Sequence, residues 1–173
     1  ELDFLTSNEN RNIFVKNLAL TLKGNSLILF SLVKHGNDLY KLIKESCDDN
    51  RKVFFIYGGT ATEQREQFRG ITEQSENAII VASYGVYSTG VNIRKLHNIV
   101  FASPSKSRIR NLQSIGRGLR KSQSKEIATL YDISDDLTWK SKTNYTLSHL
   151  KERIKLYNEE NFPYKMRNIK FKG

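Results

Sequence analysis

Cysteine and proline are scarce in this sequence, and it has no long apolar run. The 173 residues include a single cysteine, Cys47, and two prolines. One cysteine excludes a disulfide framework and a cysteine-based zinc site, which favours a protein of the reducing cytoplasm. The three histidines lack metal-ligand spacing, so no metal site is predicted. The longest apolar run, Leu27 to Val33, is far shorter than the roughly 20 residues of a membrane-spanning helix, and no membrane partner is expected.

Acidic residues are missing from a long central stretch. The net charge is +10 and the isoelectric point is near 9.7. Residues 94–125 contain nine basic side chains and no acidic one, and residues 138–173 contain nine more against three glutamates. Positive charge clustered in this way favours a nucleic-acid partner over a membrane, with a generally basic solvated surface as the alternative.

Two motifs that bind ATP and magnesium are also missing. The sequence has no Gly-x-x-x-x-Gly-Lys-Ser/Thr loop for phosphates and no Asp-Glu-x-Asp/His box. The string that starts at Gly58 and Gly59 lacks the required lysine. The chain starts at Glu1 rather than at a methionine, and we expect it to be a segment of a longer protein.

Short apolar runs alternate with segments of helical spacing along most of the chain. The apolar runs predict strands at 27–32, 52–57, 78–82, 97–102 and 127–133. Helices are predicted at 8–23, with Gly24 as the stop, at 37–47, from a capping box of Thr60 and Glu63 to residue 74, and at 107–120. This alternation predicts an α/β domain with a parallel sheet buried on both faces. Functional residues are then expected at the carboxyl ends of the strands.

The pattern changes after Asp136. Apolar residues from Tyr145 to Tyr157 have the spacing of an amphipathic helix, which Thr143 or Asn144 would cap, and Pro163 prevents its continuation. We therefore predict two parts, the α/β domain at residues 1–137 and a basic helical tail at residues 138–173.

The strongest chemical signal lies between Gln113 and Arg120. On a helix, Gln113, Arg117 and Arg120 share one face, and two guanidinium groups on one face form a fork for phosphates. Glycines at 116 and 118 are costly inside a helix and indicate a close approach to another surface. A solvated basic helix is the alternative interpretation.

This string resembles motif VI of the superfamily 2 helicases, Gln-x-x-Gly-Arg-x-x-Arg. Upstream segments resemble other motifs of that family in the right order: residues 27–31 resemble motif IV, residues 56–60 a glycine-containing turn, and residues 83–93 motif V. The resemblance covers residues 10–136. It implies a RecA-like fold, the second of the two motor domains of a helicase.

The resemblance assigns the nucleotide-binding residues. Arg120 would be the arginine finger that reaches the γ-phosphate of ATP, Arg117 would assist it, and Gln113 would position the phosphate or its water. Gly90 would allow a close backbone approach, and Asn92 would bind the ribose. ATP and Mg²⁺ would be held mainly by an N-terminal RecA-like domain of the same protein.

The resemblance also implies a row of contacts to the nucleic-acid backbone. The residues are Ser31, Lys34, His35, Gly58, Gly59, Thr60, Ser83 and Arg108. Some have simpler interpretations: the glycines as a tight turn, Ser31 as a strand end. Tyr84 and Tyr87 are interpreted as packing residues, and the aspartates at 132, 135 and 136 as structural residues that end a strand and pair with the next segment.

The implied function is ATP-dependent unwinding of DNA. A bacteriophage branch of the family, which the sequence resembles, implies branched or forked DNA and RNA–DNA hybrids as substrates, roles in recombination and repair, and the host-cell cytoplasm as the location. The alternatives are an RNA helicase domain and a non-catalytic nucleic-acid-binding module. An unrelated nucleotide-binding α/β enzyme is disfavoured, since no Gly-x-Gly-x-x-Gly turn is present.

Overall fold

The computed structural model describes residues 1–88, 95–103 and 128–171, which form a five-stranded parallel sheet with helices on both faces. The strands are β1 (Ser26–Phe30), β2 (Val53–Ile56), β3 (Ile79–Ser83), β4 (Asn98–Phe101) and β5 (Thr129–Asp132). Their order across the sheet is β2-β3-β1-β4-β5, and every neighbouring pair is parallel. The predicted α/β class and all five predicted strands are confirmed.

Six helices lie in the described part of the chain. They are α1 (Leu2–Ser7), α2 (Glu9–Thr21), α3 (Val33–Ser46), α4 (Thr62–Gln74), α5 (Tyr84–Ser88) and α6 (Tyr145–Glu159). The predictions of α2, α4 and α6 are confirmed, whereas α3 begins before the predicted Asn37, and the short helices α1 and α5 were not predicted. The helix predicted at 107–120 lies outside the described residues. None of the described helices is both long and apolar enough to cross a bilayer.

The core has two halves, one on each face of the sheet. Successive side chains of a strand point to opposite faces, so Leu27 and Leu29 of β1 pack with α5 and α6, whereas Ile28 and Phe30 pack with α2 and α3. The central strand β1 is buried throughout, and the edge strands β2 and β5 are partly exposed. This burial on both faces explains why the strands read as continuous apolar runs.

Helix α2 ends at Thr21 with the extended Leu22 as its C-cap, so the predicted stop, Gly24, instead lies in the turn that leads to β1. Gly24 has φ +87°, which side chains rarely tolerate. A Cβ atom at this position would lie 2.6 Å from the ring of His97. The glycine therefore lets the chain turn tightly from α2 into β1 beneath that ring.

The C-terminal helix α6 packs on the sheet instead of standing apart from it. Leu156 and Tyr157 belong to the same core cluster as β1 and β4. The N-terminus of α6 is capped from a distance by Glu1, whose carboxylate accepts hydrogen bonds from the backbone N–H groups of Tyr145 (2.9 Å) and Thr146 (2.8 Å). Neither predicted cap residue forms that bond with its own side chain. The boundary between residues 137 and 138 stays a prediction.

The end of α6 is set by Asn161 rather than by Pro163. Asn161 has φ +55°, and the N–H of Phe162 donates to the carbonyl of Tyr157 at 2.8 Å. A left-handed residue with this bond is the usual way to close the last turn of a helix. Residues 162–171 then have neither helix nor strand, so the helical part of the basic tail ends at Glu159.

Candidate functional site

Three neighbouring strands bring the predicted nucleic-acid contacts to one edge of the sheet. Ser31 follows β1, Gly58 and Gly59 follow β2, and Ser83 ends β3. Since the order is β2-β3-β1 and the strands are parallel, these positions adjoin along the carboxyl edge. The register confirms this, because Phe30 pairs with Ser83. Segments more than 20 residues apart in sequence thus form one continuous rim.

The turn after β2 is fixed by Thr60. The N–H of Thr60 donates to the carbonyl of Tyr57 at 3.0 Å, and the N–H of Tyr57 donates to the Thr60 hydroxyl at 3.1 Å. Thr60 is buried, so its side chain stabilises the turn instead of facing a ligand. The predicted capping box is wrong, since α4 begins at Thr62 and its cap residue, Ala61, has no capping side chain.

Arg65 orients this turn from the first turns of α4. Its guanidinium donates to the carbonyl of Gly58 at 2.7 Å and more weakly to that of Tyr57 at 3.4 Å. The carbonyls are thereby held toward the helix, while the N–H groups of Gly58 and Gly59 meet no acceptor within the described residues. Both glycines are exposed, and a Cβ on Gly59 would lie 2.6 Å from the ring of Tyr57. The turn therefore offers two exposed N–H donors suited to a phosphate oxygen.

Ser31, Lys34 and Ser83 lie along the same rim. Ser31 and Lys34 are exposed where β1 passes into α3. Ser83 is partly buried, and its hydroxyl accepts a long hydrogen bond, 3.4 Å, from the N–H of Val86 in α5. This edge thus carries one lysine, two hydroxyls and two exposed N–H donors. Such a set of hydrogen-bond donors matches a sugar–phosphate backbone.

His35 has an internal role, unlike its predicted contact with nucleic acid. Its side chain is 2% exposed, with Nδ1 2.8 Å from the hydroxyl of Ser103 and Nε2 3.0 Å from the amide oxygen of Asn12. Burial, aided by the positive charge of Arg11, lowers the pKa of His35 to about 4, against the opposing effect of Asp38. The ring is neutral at pH 7 and joins α2, α3 and the end of β4.

A buried ion pair beneath the rim was not predicted as such. Arg11 of α2 is 1% exposed and binds Asp135 through two hydrogen bonds, at 2.8 and 3.0 Å, and the carbonyl of Ala102 at 2.7 Å. It thereby fastens α2 to the segments that follow β4 and β5. The signal in the sequence was weak, because a lone arginine on an amphipathic helix reads as a surface residue.

A second ion pair attaches α6 to the end of β5. Arg153 binds Asp132 at 2.6 and 2.9 Å and the hydroxyl of Ser134 at 2.6 Å. Tyr157 donates its hydroxyl to Asp132 at 2.7 Å, and burial, followed by this carboxylate, raises the pKa of Tyr157. The structural roles predicted for Asp132 and Asp135 are confirmed. Arg153, counted among the basic residues of the tail, is buried.

Tyr84 and Tyr87 pack in the core, as expected. Tyr84 is 8% exposed, and its hydroxyl donates to the carbonyl of Ser103 at 3.1 Å. Tyr87 packs against the same cluster, and burial raises the pKa of its phenol.

The predicted nucleotide-binding residues lie outside the described residues. These are Gly90, Asn92, Gln113, Arg117 and Arg120, and Arg108, the further predicted contact to the nucleic-acid backbone, also lies outside them. The described chain stops at Ser103, just beyond the carboxyl end of β4, and resumes at Ala128, before β5. Within the described ranges, no group of three or more histidine, cysteine or acidic side chains is arranged to hold a metal ion.

Comparison with known proteins decides the family. Residues 9–122 match the family described as the helicase conserved C-terminal domain. The chain belongs to this family. The matched residues include all four segments that resemble helicase motifs, so the predicted superfamily 2 helicase domain is confirmed.

Relatives of this helicase C-terminal domain include a phage protein. The chain is 38% identical over 182 residues to the ATP-dependent DNA helicase UvsW of Enterobacteria phage T4, a match that covers 98% of this chain and 36% of that protein. The crystal structure of T4 UvsW has a TM-score of 0.76 and covers 92% of this chain and 34% of the other. The chain therefore spans about a third of this relative's length, and the match extends into the segment after Asp136.

More distant structures share only the fold. The C-terminal domain of the DEAD-box protein Dbp5 has a TM-score of 0.64 at 16% identity, and covers 89% of this chain and 82% of that one. Domain 2 of the DEAD-box helicase Mss116p, solved with an RNA duplex, has a TM-score of 0.63 at 15% identity over 88% of this chain and 56% of the other. They support the RecA-like architecture.

Proposed function

We propose that this helicase C-terminal domain is the second motor domain of an ATP-dependent DNA helicase. The observation that carries the proposal is the 38% identity to UvsW across nearly the whole chain. In such a motor, two RecA-like domains close around ATP and reopen after its hydrolysis, and this cycle moves the nucleic acid. We expect the protein to work in the cytoplasm of a host cell.

The carboxyl edge supplies part of the nucleic-acid track. Ser31, Lys34, Ser83 and the exposed N–H groups of Gly58 and Gly59 contact successive phosphates, with Arg108 as a further cationic contact. Thr60 and Arg65 position the glycine turn, and His35 holds α3 in place from inside. Contacts of this type carry little sequence information, so the track recognises the shape of the strand.

The nucleotide site is shared with an N-terminal RecA-like domain. That domain holds ATP and Mg²⁺, since this sequence has no phosphate-binding loop with its lysine. This chain contributes Arg120 as the finger, Arg117 beside it, and Gln113, Gly90 and Asn92 around the phosphates and ribose. An arginine that meets charge developing on the γ-phosphate accelerates hydrolysis by roughly a thousandfold or more.

Branched or forked DNA is the proposed substrate, with RNA–DNA hybrids as a further one. The support is the relationship to UvsW, whose name describes a DNA helicase. Such a substrate places the protein in recombination and repair.

The decisive experiment replaces Arg120 in the full-length protein. Arg120→Ala should lower DNA-stimulated ATP hydrolysis by about a thousandfold and leave binding of ATP and DNA nearly intact, because the finger acts mainly on the transition state. Arg120→Lys should fail almost as badly, since an ammonium group lacks the planar fork. Turnover is measured with forked DNA, single-stranded DNA and RNA as stimulants.

A matched control is Arg69→Ala, which removes another arginine that pairs with Glu66 and Glu73 on the surface of α4. It should keep normal turnover. Normal hydrolysis with lost DNA binding in Arg120→Ala would make that arginine a backbone contact and contradict the assignment. Stimulation by RNA but not by DNA would contradict the proposed substrate.

A further inference from the structure

A short turn after β5 presents the single tryptophan of the chain. Trp139 and Lys142 form an isolated antiparallel bridge, with N–O distances of 3.3 and 3.1 Å, and Lys140 between them has φ +55°. We call residues 137–145 the Trp139 turn. A two-way backbone bridge closed by a left-handed residue is a tight hairpin, so the position of Trp139 is set by the backbone.

Two aromatic side chains of the Trp139 turn are exposed. Trp139 is 75% exposed and Tyr145 is 76% exposed, the highest values among the large hydrophobic residues of the described chain. Tryptophan is usually well buried, since it offers much apolar area. Trp139 is therefore a ring surface available to a partner with a flat apolar face.

The charges around the Trp139 turn are mostly positive. Lys140, Lys142 and Lys151 are exposed, and residues 137–151 contain no aspartate or glutamate. Two carboxylates adjoin the turn: Asp136 accepts the N–H of Thr138 at 3.0 Å, and Glu1 accepts N–H groups at the start of α6. An aromatic ring flanked by lysines complements a nucleobase and its adjacent phosphates.

The Trp139 turn is anchored to the carboxyl edge that carries the proposed track. Asn144 accepts the N–H of Leu137 at 3.0 Å and donates to the carbonyl of Asp135 at 2.9 Å, and Asp135 is bound by the buried Arg11. Asp135 lies three residues after the end of β5. Because the turn is already fixed, binding a ligand costs little conformational entropy, and this favours affinity.

We propose that the Trp139 turn binds an unpaired base of single-stranded nucleic acid. The indole of Trp139 stacks on the base, and Lys140 and Lys142 contact the phosphates on either side. Bases inside a duplex are already stacked on one another, so the turn discriminates in favour of a single strand. The proposal rests on the proposed function only in requiring that the domain binds nucleic acid.

The single tryptophan provides a direct measurement. We would titrate the chain with an oligothymidylate and with a duplex of equal length, following tryptophan emission and, in parallel, the anisotropy of a labelled strand. We expect saturable quenching by the single strand and little by the duplex. Trp139→Ala should weaken single-strand binding about tenfold and Trp139→Phe much less, since a phenyl ring still stacks.

A charge-matched pair of variants isolates the lysines. Lys140→Gln with Lys142→Gln removes two charges at the turn, and Lys41→Gln with Lys44→Gln removes two exposed charges on α3. The first pair should weaken single-strand binding several-fold more than the second. Equal losses would overturn the proposed phosphate contacts, and melting curves verify that each variant is folded.

The remaining outcomes separate this proposal from the proposed function. Two outcomes overturn the stacking site and leave the proposed track intact. One is binding that changes the anisotropy without changing tryptophan emission, and the other is unchanged affinity in Trp139→Ala. No binding in either measurement overturns both. A concentration-dependent blue shift without nucleic acid, together with self-association in sedimentation, shows that a second copy covers Trp139 and also overturns the proposal.

Discussion

Single residues beneath the carboxyl edge hold it in place through hydrogen bonds between distant elements. His35 joins Asn12 of α2 to Ser103 beyond β4, and both of its ring nitrogens are engaged. Buried polar groups are costly unless paired, so this cluster stabilises one arrangement of α2, α3 and β4. The exposed Lys34 directly precedes His35 in sequence and the exposed Ser31 lies four positions before it, so both positions depend on how His35 holds the start of α3.

The low pKa of His35 predicts acid destabilisation. The folded-state pKa is about 4, below the ordinary value of 6.5, so the unfolded chain binds more protons between these values. The contribution of His35 is fully present above pH 6.5 and is lost as the pH falls toward 4. It amounts to about 3 kcal/mol by the conversion for a pKa shift.

The measurement is urea unfolding between pH 7.5 and 4 for the native chain and for His35→Gln. The variant lacks the titrating group. Its free energy of unfolding should therefore fall less than that of the native chain as the pH is lowered over this range. Parallel pH profiles for the two proteins would refute the assignment. Comparing the two cancels the other groups that titrate in acid, Glu1 among them.

At the scale of elements, α6 is attached by charge as well as by its apolar face. Arg153 and its partner Asp132 are 3% and 11% exposed, and the pair is supported by Ser134 and Tyr157. Removing one member of a buried pair leaves the other charge without compensation. The helix is thus part of the folded domain, although its sequence reads as a basic tail.

Arg153→Ala should lower the free energy of unfolding by about 3 kcal/mol. Lys155→Ala, two residues along the same helix and exposed, is the matched control and should change it by less than about 0.5 kcal/mol. Denaturant unfolding at pH 7 gives both values. A loss in Arg153→Ala no larger than in the control would mean that α6 is held by its apolar contacts alone.

At the scale of the whole molecule, the net charge predicts how the proposed binding of nucleic acid depends on salt. The net charge of +10 implies that binding releases several counterions, so affinity falls steeply with salt. The segment after α6 adds Lys165, Arg167 and Lys170, all exposed, and its Phe171 ring lies 6.0 Å from that of Phe14 of α2. These charges therefore lie along the body of the domain.

Glutamine at Lys165, Arg167 and Lys170 should lower the salt slope of duplex binding by up to about 3, because each phosphate that is no longer neutralised reduces it by roughly 0.9. Binding is measured from low to physiological salt. The double variant of Lys41 and Lys44 on α3 is the control and should keep the native slope. An unchanged slope in the triple variant would leave the end of the tail without a role in binding.

Much of this architecture was readable from the sequence because its causes are local or periodic. The continuous apolar runs of β1, β3 and β4 follow from burial on both faces, and Gly24 marks the turn between α2 and β1. The family was also readable, since the motif segments lie at fixed spacing. The approximate position of the rim followed from the rule that parallel strands place their carboxyl ends on one edge.

Short elements and pairings were decided only by the tertiary structure. Helix α1 has six residues, too few for a periodic signal, and Thr60 bonds within its turn in preference to capping α4. His35, Arg11 and Arg153 looked like surface residues, because burial of a charged or polar side chain depends on partners 21 to 124 positions away in sequence. The sequence by itself determined the sheet, its family and the segments that reach the rim. Only the folded chain decided which polar side chains are exposed at the rim and which hold the rim together, since that choice depends on long-range hydrogen bonds.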